Sequence, residues 1–211
     1  MEKSGAGDMN GKFFDLKKEK QDRMINAALK TFALHGYRHA STDDIVREAS
    51  ISKGLLFHYF ESKLGVYSFI YDYSVRYTIL ELRSTIDRKE QDLFEVMRQT
   101  ERARLQAMRG YPCMQLFLDR AMSEDVSEAL LAVEEKREAL EEAYQEVEDR
   151  IDYSLLPGDV DGEKLRRMLA FTIRGLMAER FQNASCQPEM LYQDICDYID
   201  MTRRLVYRPA E

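Results

Sequence analysis

The chain has few of the residues that interrupt helices. Only four prolines and ten glycines punctuate its 211 residues. Long helices therefore form easily, and a many-stranded sheet with frequent turns is not expected. The three cysteines, Cys113, Cys186 and Cys196, contain no Cys-x-x-Cys pair. An odd, scattered set supplies neither a disulfide framework nor a zinc site; it fits a reducing cytoplasm, with the three acting as small apolar residues. No run of about 18 apolar residues exists to span a bilayer. Met1 to Lys12 lack the apolar stretch of a secretory signal, and residues 1–14 read as a flexible tail. Histidine is confined to His35, His39 and His58. None follows a glutamate by three positions, which removes the Glu-x-x-His pairs of a di-metal helical bundle. Phosphate-binding glycine loops and nucleophile elbows are also missing. No catalytic residue, metal or cofactor is assigned, and an enzyme is not expected.

An overall excess of basic charge is missing too: the formal net charge is −7. That is the wrong sign for a nucleic-acid binder. The charge is unevenly divided, however. Residues 1–65 carry 11 Lys and Arg against 9 Asp and Glu, whereas residues 66–211 carry 20 against 29. Any contact with a polyanion belongs to the first part.

What is present is helical periodicity. Asp15 is placed to cap a first helix starting near Leu16 or Lys17. Met24, Ala28, Leu29 and Phe32 then recur at helical spacing, and Gly36 suits the left-handed position that ends the run. Ser41-Thr42-Asp43-Asp44 opens a short second helix, with a hydroxyl cap and carboxylates where the dipole favours them. Ser50-Ile51-Ser52 is a tight turn. Ser52 caps a third helix from Lys53 to Tyr59 or Phe60, and Ser62 caps a fourth that runs to about Ser84. Two short helices joined by a three-residue turn and braced by a preceding helix make a helix-turn-helix. Five more helices follow, near 93–109, 112–122, 126–153, 162–183 and 188–207. The whole is an all-α chain of about nine helices: an N-terminal three-helix unit, 15–61, and a C-terminal helical domain, 62–211.

Within the three-helix unit, Ile45, Ala49, Ile51, Leu56 and Phe60 can form a small core. That leaves Lys53, Gly54, Leu55, Phe57, His58 and Tyr59 partly or wholly outside. Such a face is a poor solvent surface and a good groove surface. Gly54 removes a side chain where backbone must approach DNA closely. Thr42 and Ser52 sit at helix N-termini, where hydroxyls and free amides bind phosphate. A competing reading, that the third helix merely packs on another domain, leaves Lys53, Gly54, Tyr59 and Lys63 unexplained.

The run Ile25-Asn26-Ala27-Ala28-Leu29, Phe32, Gly36-Tyr37, Ser41-Thr42, Ile45, Ala49, Ile51-Ser52-Lys53-Gly54, His58-Tyr59-Phe60 and Ser62-Lys63 resembles the DNA-binding signature of TetR-family transcriptional regulators. The resemblance implies a cytoplasmic homodimer that binds a palindromic double-stranded DNA operator, acts as a repressor, and is released by a small apolar effector. It implies base-facing roles for Lys53, Gly54, Leu55 and His58, and phosphate contacts from Thr42, Tyr59 and Lys63. Three positions depart from the family pattern. Phe57 lacks a common hydroxyl, Ser50 stands in place of a turn glycine, and Leu64 replaces an acidic residue.

In the C-terminal domain, aromatic and methionine side chains can line an adaptable apolar cavity or simply fill a core. The expected effector-lining residues are Tyr67, Tyr71, Met97, Glu101, Met108, Met114, Phe117 and Tyr144. Glu101 with Arg104 puts a charged pair on an otherwise apolar stripe, which calls for an internal partner, water or a ligand. The last two helices are apolar on more than one side and so must be covered on more than one side. By resemblance they form the dimer interface, with Ile173, Met177, Phe181, Ile195 and Ile199 as its expected residues. Two alternatives stay open: an all-helical interaction protein, or a helical-bundle enzyme, neither binding DNA.

Overall fold

The computed structural model describes residues 12–182 and 187–207. In chain order its helices are α1 (Lys18–His39), α2 (Thr42–Ala49), α3 (Lys53–Phe60), α4 (Lys63–Thr85), α5 (Leu93–Gly110), α6 (Met114–Ala121), α7 (Ser127–Glu148), α8 (Gly162–Gln182) and α9 (Pro188–Val206). A short 3₁₀ turn covers Tyr153–Leu155. There is no strand among the described residues. No helix among them is long and apolar enough to cross a membrane.

The chain divides into two compact units. The first takes in the chain through Arg76 together with Tyr111–Glu138. The second holds Tyr77–Gly110 and the chain from Ala139 onward. The expected boundary at residue 61 falls inside the first unit. Helices α4 and α7 each begin in the first unit and end in the second.

The first unit is built on aromatic packing. Phe32 meets Tyr67 edge-on at 5.1 Å between ring centres, and Phe117 meets Tyr67 at 5.6 Å and Tyr71 at 6.0 Å. Edge-to-face rings at such distances add about 0.5–1.5 kcal/mol each beyond the area they bury. A second cluster joins Phe13, Phe60 and Phe69. Residues 1–11 of the expected tail lie outside the described residues, but Lys12–Phe14 form a helical turn and Phe13 is fully buried. The tail assignment of 13 and 14 is thus corrected: an apolar pair at the chain start was read as loose because it precedes the periodic run. The Gln21 side-chain amide pins this segment, donating to the carbonyls of Phe14 and Leu16 at 2.9 and 2.7 Å. Asp15 therefore does not cap α1, whose first turn has no side-chain cap.

Gly36 interrupts α1 as expected, at φ 65° and ψ 175°. The helix resumes briefly to His39. The kink frees the Tyr37 amide, which donates to Glu124 Oε2 at 2.8 Å.

The core of the second unit gathers Leu82, Phe94, Met108, Val147, Leu169, Ile173, Leu191, Ile195 and Ile199, among others. Helix α7 stops at Glu148, earlier than its apolar spacing suggests. Ile151 and Leu156 still reach this core, through a loop and the 3₁₀ turn rather than a longer helix.

Candidate nucleic-acid interface

Local hydrogen bonds set the helix-turn-helix. Ser41 caps α2, its hydroxyl oxygen accepting from the Asp43 amide at 3.1 Å. Ser50 adopts the left-handed conformation at φ 53° and ψ 51°, so serine does serve where a glycine is common. Ile51 then donates its amide to Val46 O at 3.0 Å, which closes the turn. Ser52 caps α3 by accepting from the Leu55 amide at 3.2 Å. Ile45, Ala49, Leu56 and Phe60 are buried between the helices, while Ile51 is only half-buried.

That packing decides what α3 presents. Ser52, Lys53, Gly54 and His58 are exposed; Thr42, Leu55, Phe57, Tyr59 and Lys63 are half-buried. Tyr59 is braced from below, its ring edge-on to Phe13 at 5.8 Å, and His58 lies edge-on to Tyr59 at 5.0 Å. Phe13 is thus a support of this face that periodicity does not reveal, because no helix of the motif contains it.

Two glycines in this region differ in kind. A Cβ on Gly65 would lie 1.9 Å from Phe60 O, so the α3–α4 junction demands glycine. A Cβ on Gly54 would meet nothing within 4 Å. The protein's own packing gives no reason for the second glycine.

The face also carries charge. Lys53 Nζ reaches Asp43 Oδ1 at 2.7 Å and Arg47 pairs with Asp44, all four at or near the surface. Exposed pairs of this sort contribute roughly 0–1 kcal/mol, so a phosphate or base can replace the carboxylate at little cost. Lys63, an expected phosphate contact, also has partners within the chain. Its ammonium donates to Arg38 O at 3.2 Å and sits 4.7 Å from the centre of the Tyr37 ring. Burial lowers its pKa, against the opposing pull of Glu128 and Glu124. Two of its three N–H groups remain for another acceptor.

The expected effector residues fall into two groups. Tyr67, Tyr71, Met114 and Phe117 are buried in the first unit, with Tyr67, Tyr71 and Phe117 packed ring against ring. Met97, Glu101, Met108 and Tyr144 belong to the second. There Glu101, 4% exposed, accepts from Arg104 Nη1 at 2.6 Å, and Arg104 donates to Tyr144 Oη at 3.2 Å while lying over its ring. The two charges on the apolar stripe therefore pair with each other within the chain.

The expected interface residues need correction. Ile173, Met177, Ile195 and Ile199 are 0–3% exposed in a single protomer, and Phe181 packs half-buried against the same core. Ile173, Met177, Ile195 and Ile199, already covered by their own chain, offer no surface to a partner, whereas Phe181 keeps part of its surface exposed. The outward side of α8 instead carries Met168 and Phe171, and that of α9 carries Met190, Tyr198, Met201 and Leu205.

Comparison with known proteins finds likenesses to bacterial regulators in the helix-turn-helix segment and in the overall helical fold. Residues 24–68 match the profile of bacterial regulatory proteins of the tetR family. A curated relative, the uncharacterized HTH-type transcriptional regulator YuxN of Bacillus subtilis, is 42% identical over 59 residues. The match takes in 26% of this chain and spans only 20% of that relative's length. Two solved structures share the fold over most of the chain. A TetR family transcriptional regulator from Chloroflexus aurantiacus aligns with TM-score 0.64 and 23% identity, covering 94% of this chain and 98% of that one. The TetR family regulator PfmR from Thermus thermophilus gives 0.60 and 20%, covering 88% and 100%. The likeness to the TetR family is thus one of sequence over residues 24–68 and of fold over most of the chain.

Proposed function

We propose that the protein is a DNA-binding transcriptional regulator that acts as a dimeric, ligand-responsive repressor. The observation that carries the reading is Gly54: exposed on α3 beside Lys53 and His58, it is a glycine that internal packing does not require. A helix that must lie close to a groove explains it. Ser52 and Thr42, at the starts of α3 and α2, supply hydroxyls and amides to phosphate. The exposed apolar residues of α8 and α9 supply the partner surface. A two-fold dimer with one recognition helix per chain reads an inverted repeat, with half-sites about 34–36 Å apart or a multiple of that.

Ligand response follows from continuity. Helix α4 starts three residues after α3 and runs unbroken from the first unit into the second. An effector that displaces α4 therefore moves α3, and a tenfold loss of DNA affinity needs only about 1.4 kcal/mol of coupling. The small apolar effector and the cytoplasmic setting remain parts of this reading.

The test is selection of duplexes from a random pool by the purified full-length protein. An enriched inverted repeat is expected. Lys53→Ala or His58→Ala should change the preferred bases, whereas Lys63→Ala should weaken all sequences alike and reduce the salt dependence by about one phosphate contact. A pool with no enriched sequence would overturn the proposal.

A further inference from the structure

The second unit carries a cleft of ≈ 440 Å³ lined by Arg83, Ile86, Arg88, Glu146 and Arg150. None of the expected effector residues belongs to it. One wall is the end of α4 with the loop that follows, and the other is the end of α7. Their frame is tied: the Asp152 amide donates to Gln91 O at 3.0 Å, and the Asp87 amide donates to Gln99 Oε1 at 2.8 Å. Ile86, 4% exposed, joins the hydrophobic core and gives the cleft an apolar floor.

The charge of this lining is mainly positive. Arg98, Arg104, Arg109, Arg166, Arg180 and Arg203, all in the same unit, each meet a carboxylate. Among the described residues no carboxylate forms an ion pair with Arg83, Arg88 or Arg150, although Glu146 lines the same cleft. Three guanidinium groups against one carboxylate leave the lining positive in a chain of net charge −7. An exposed group of like charges gives an anion a favourable place to bind.

We infer that this cleft is a binding site for the phosphate end of a small molecule. The lining's excess of two positive charges matches a dianionic phosphate group. A guanidinium fork grips phosphate oxygens in pairs, and the volume lies in the range of small-molecule sites. Ile86 meets the apolar edge of whatever the phosphate is attached to. The regulatory meaning of the site rests on the ligand-responsive reading above; the binding itself does not.

The probe is pyrophosphate, titrated calorimetrically into the full-length protein at fixed ionic strength, with inorganic phosphate, citrate and acetate as comparisons. Saturable binding of one pyrophosphate per chain is expected, with phosphate weaker and acetate silent. Arg83→Gln with Arg150→Gln should weaken it at least tenfold, and Glu146→Gln should tighten it several-fold. All three side chains lie on the cleft wall outside the core, so melting temperatures should stay unchanged. Absent saturation, citrate binding tighter than pyrophosphate, or variants that bind as the parent does, would each overturn the site. Operator affinity measured with and without pyrophosphate separates the two claims. Binding that follows the arginine and glutamate variants but leaves DNA affinity unchanged upholds the cleft and removes it from regulation.

Discussion

Gly54→Ala should raise stability and lower DNA affinity in the same molecule. In a helix, alanine is favoured over glycine by about 0.5–1 kcal/mol, through the backbone freedom that glycine loses on folding. Position 54 lies in the first turn of α3, and an added Cβ meets nothing within 4 Å, so no steric cost offsets the gain. For a chain of this size the melting temperature should rise by about 1–4 °C. In the groove the same methyl would stand between backbone and DNA. A tenfold loss in affinity, about 1.4 kcal/mol, is the expected scale. Gly65→Ala is the control. Its Cβ would lie 1.9 Å from Phe60 O, so backbone must shift and the melting temperature must fall. Gly54→Ala should lose affinity while gaining stability, whereas Gly65→Ala should lose stability. Thermal melts with fluorescence anisotropy on the selected duplex give both numbers. If Gly54→Ala bound DNA with parental affinity, the close-approach argument would be wrong and α3 would lose its main support as the recognition helix.

Phe13→Ala should cost about 3–5 kcal/mol, because a fully buried ring between Phe60 and Phe69 leaves a cavity when removed; chemical denaturation measures it, and a cost under 1 kcal/mol would mean the segment is not docked. Phe171→Asp should yield folded monomers by sedimentation, since this residue is 59% exposed in the single chain, whereas Ile195→Asp should unfold the protein. A dimeric Phe171→Asp would place the interface elsewhere. Stability should also decline in alkali. Burial, then the hydrogen bond to Glu128 and the nearby charges of Glu128 and Glu124, push the Tyr37 pKa from 10.0 up to about 12. The folded state thus favours the neutral phenol, and the stabilisation present below pH 10 is lost as pH rises through about 12. Tyr37→Phe should be less stable at neutral pH but flatter over that window, and an equal alkaline slope in both proteins would refute the assignment.

The helix-turn-helix was legible because its signals are local. The caps at Ser41 and Ser52, the turn at Ser50, and the spacing of Ile45, Ala49, Leu56 and Phe60 each follow from a few adjacent residues. Phe13 and Gly65 were not legible. Phe13 lies outside any periodic run and is fixed by rings far along the chain. Gly65 is required only because Phe60 O arrives beside it, which no reading of either residue alone reveals. The internal partners of Lys63 were not legible either: its ammonium meets Arg38 O and the Tyr37 ring, both distant in sequence.

Ile173, Met177, Ile195 and Ile199 attracted an interface assignment for a more general reason. Sequence gives the width of a helix's apolar surface, not which part of it the chain itself covers. In α8 the core takes Leu169, Ile173 and Met177, one residue per turn, and in α9 it takes Leu191, Ile195 and Ile199 at the same interval. Those rows are the most regular and the richest in Leu and Ile, so they attract an interface assignment first. Their regularity is instead what a close-packed intramolecular core selects, since rigid branched side chains fill fixed volume well. The apolar residues left over are Met168, Phe171, Met190, Tyr198, Met201 and Leu205. Methionine and aromatics are the residues enriched where two separately folded surfaces meet, because the first adapts its shape and the second contributes large area with few torsions to immobilise. On α8 and α9 the rows through Ile173 and Ile195 thus belong to the core, and the outer residues such as Phe171 and Met201 are the ones the proposed dimer would cover. The aspartate substitutions test that division directly: Ile195 and Phe171 stand on opposite sides of it, and only one of them should leave a folded chain.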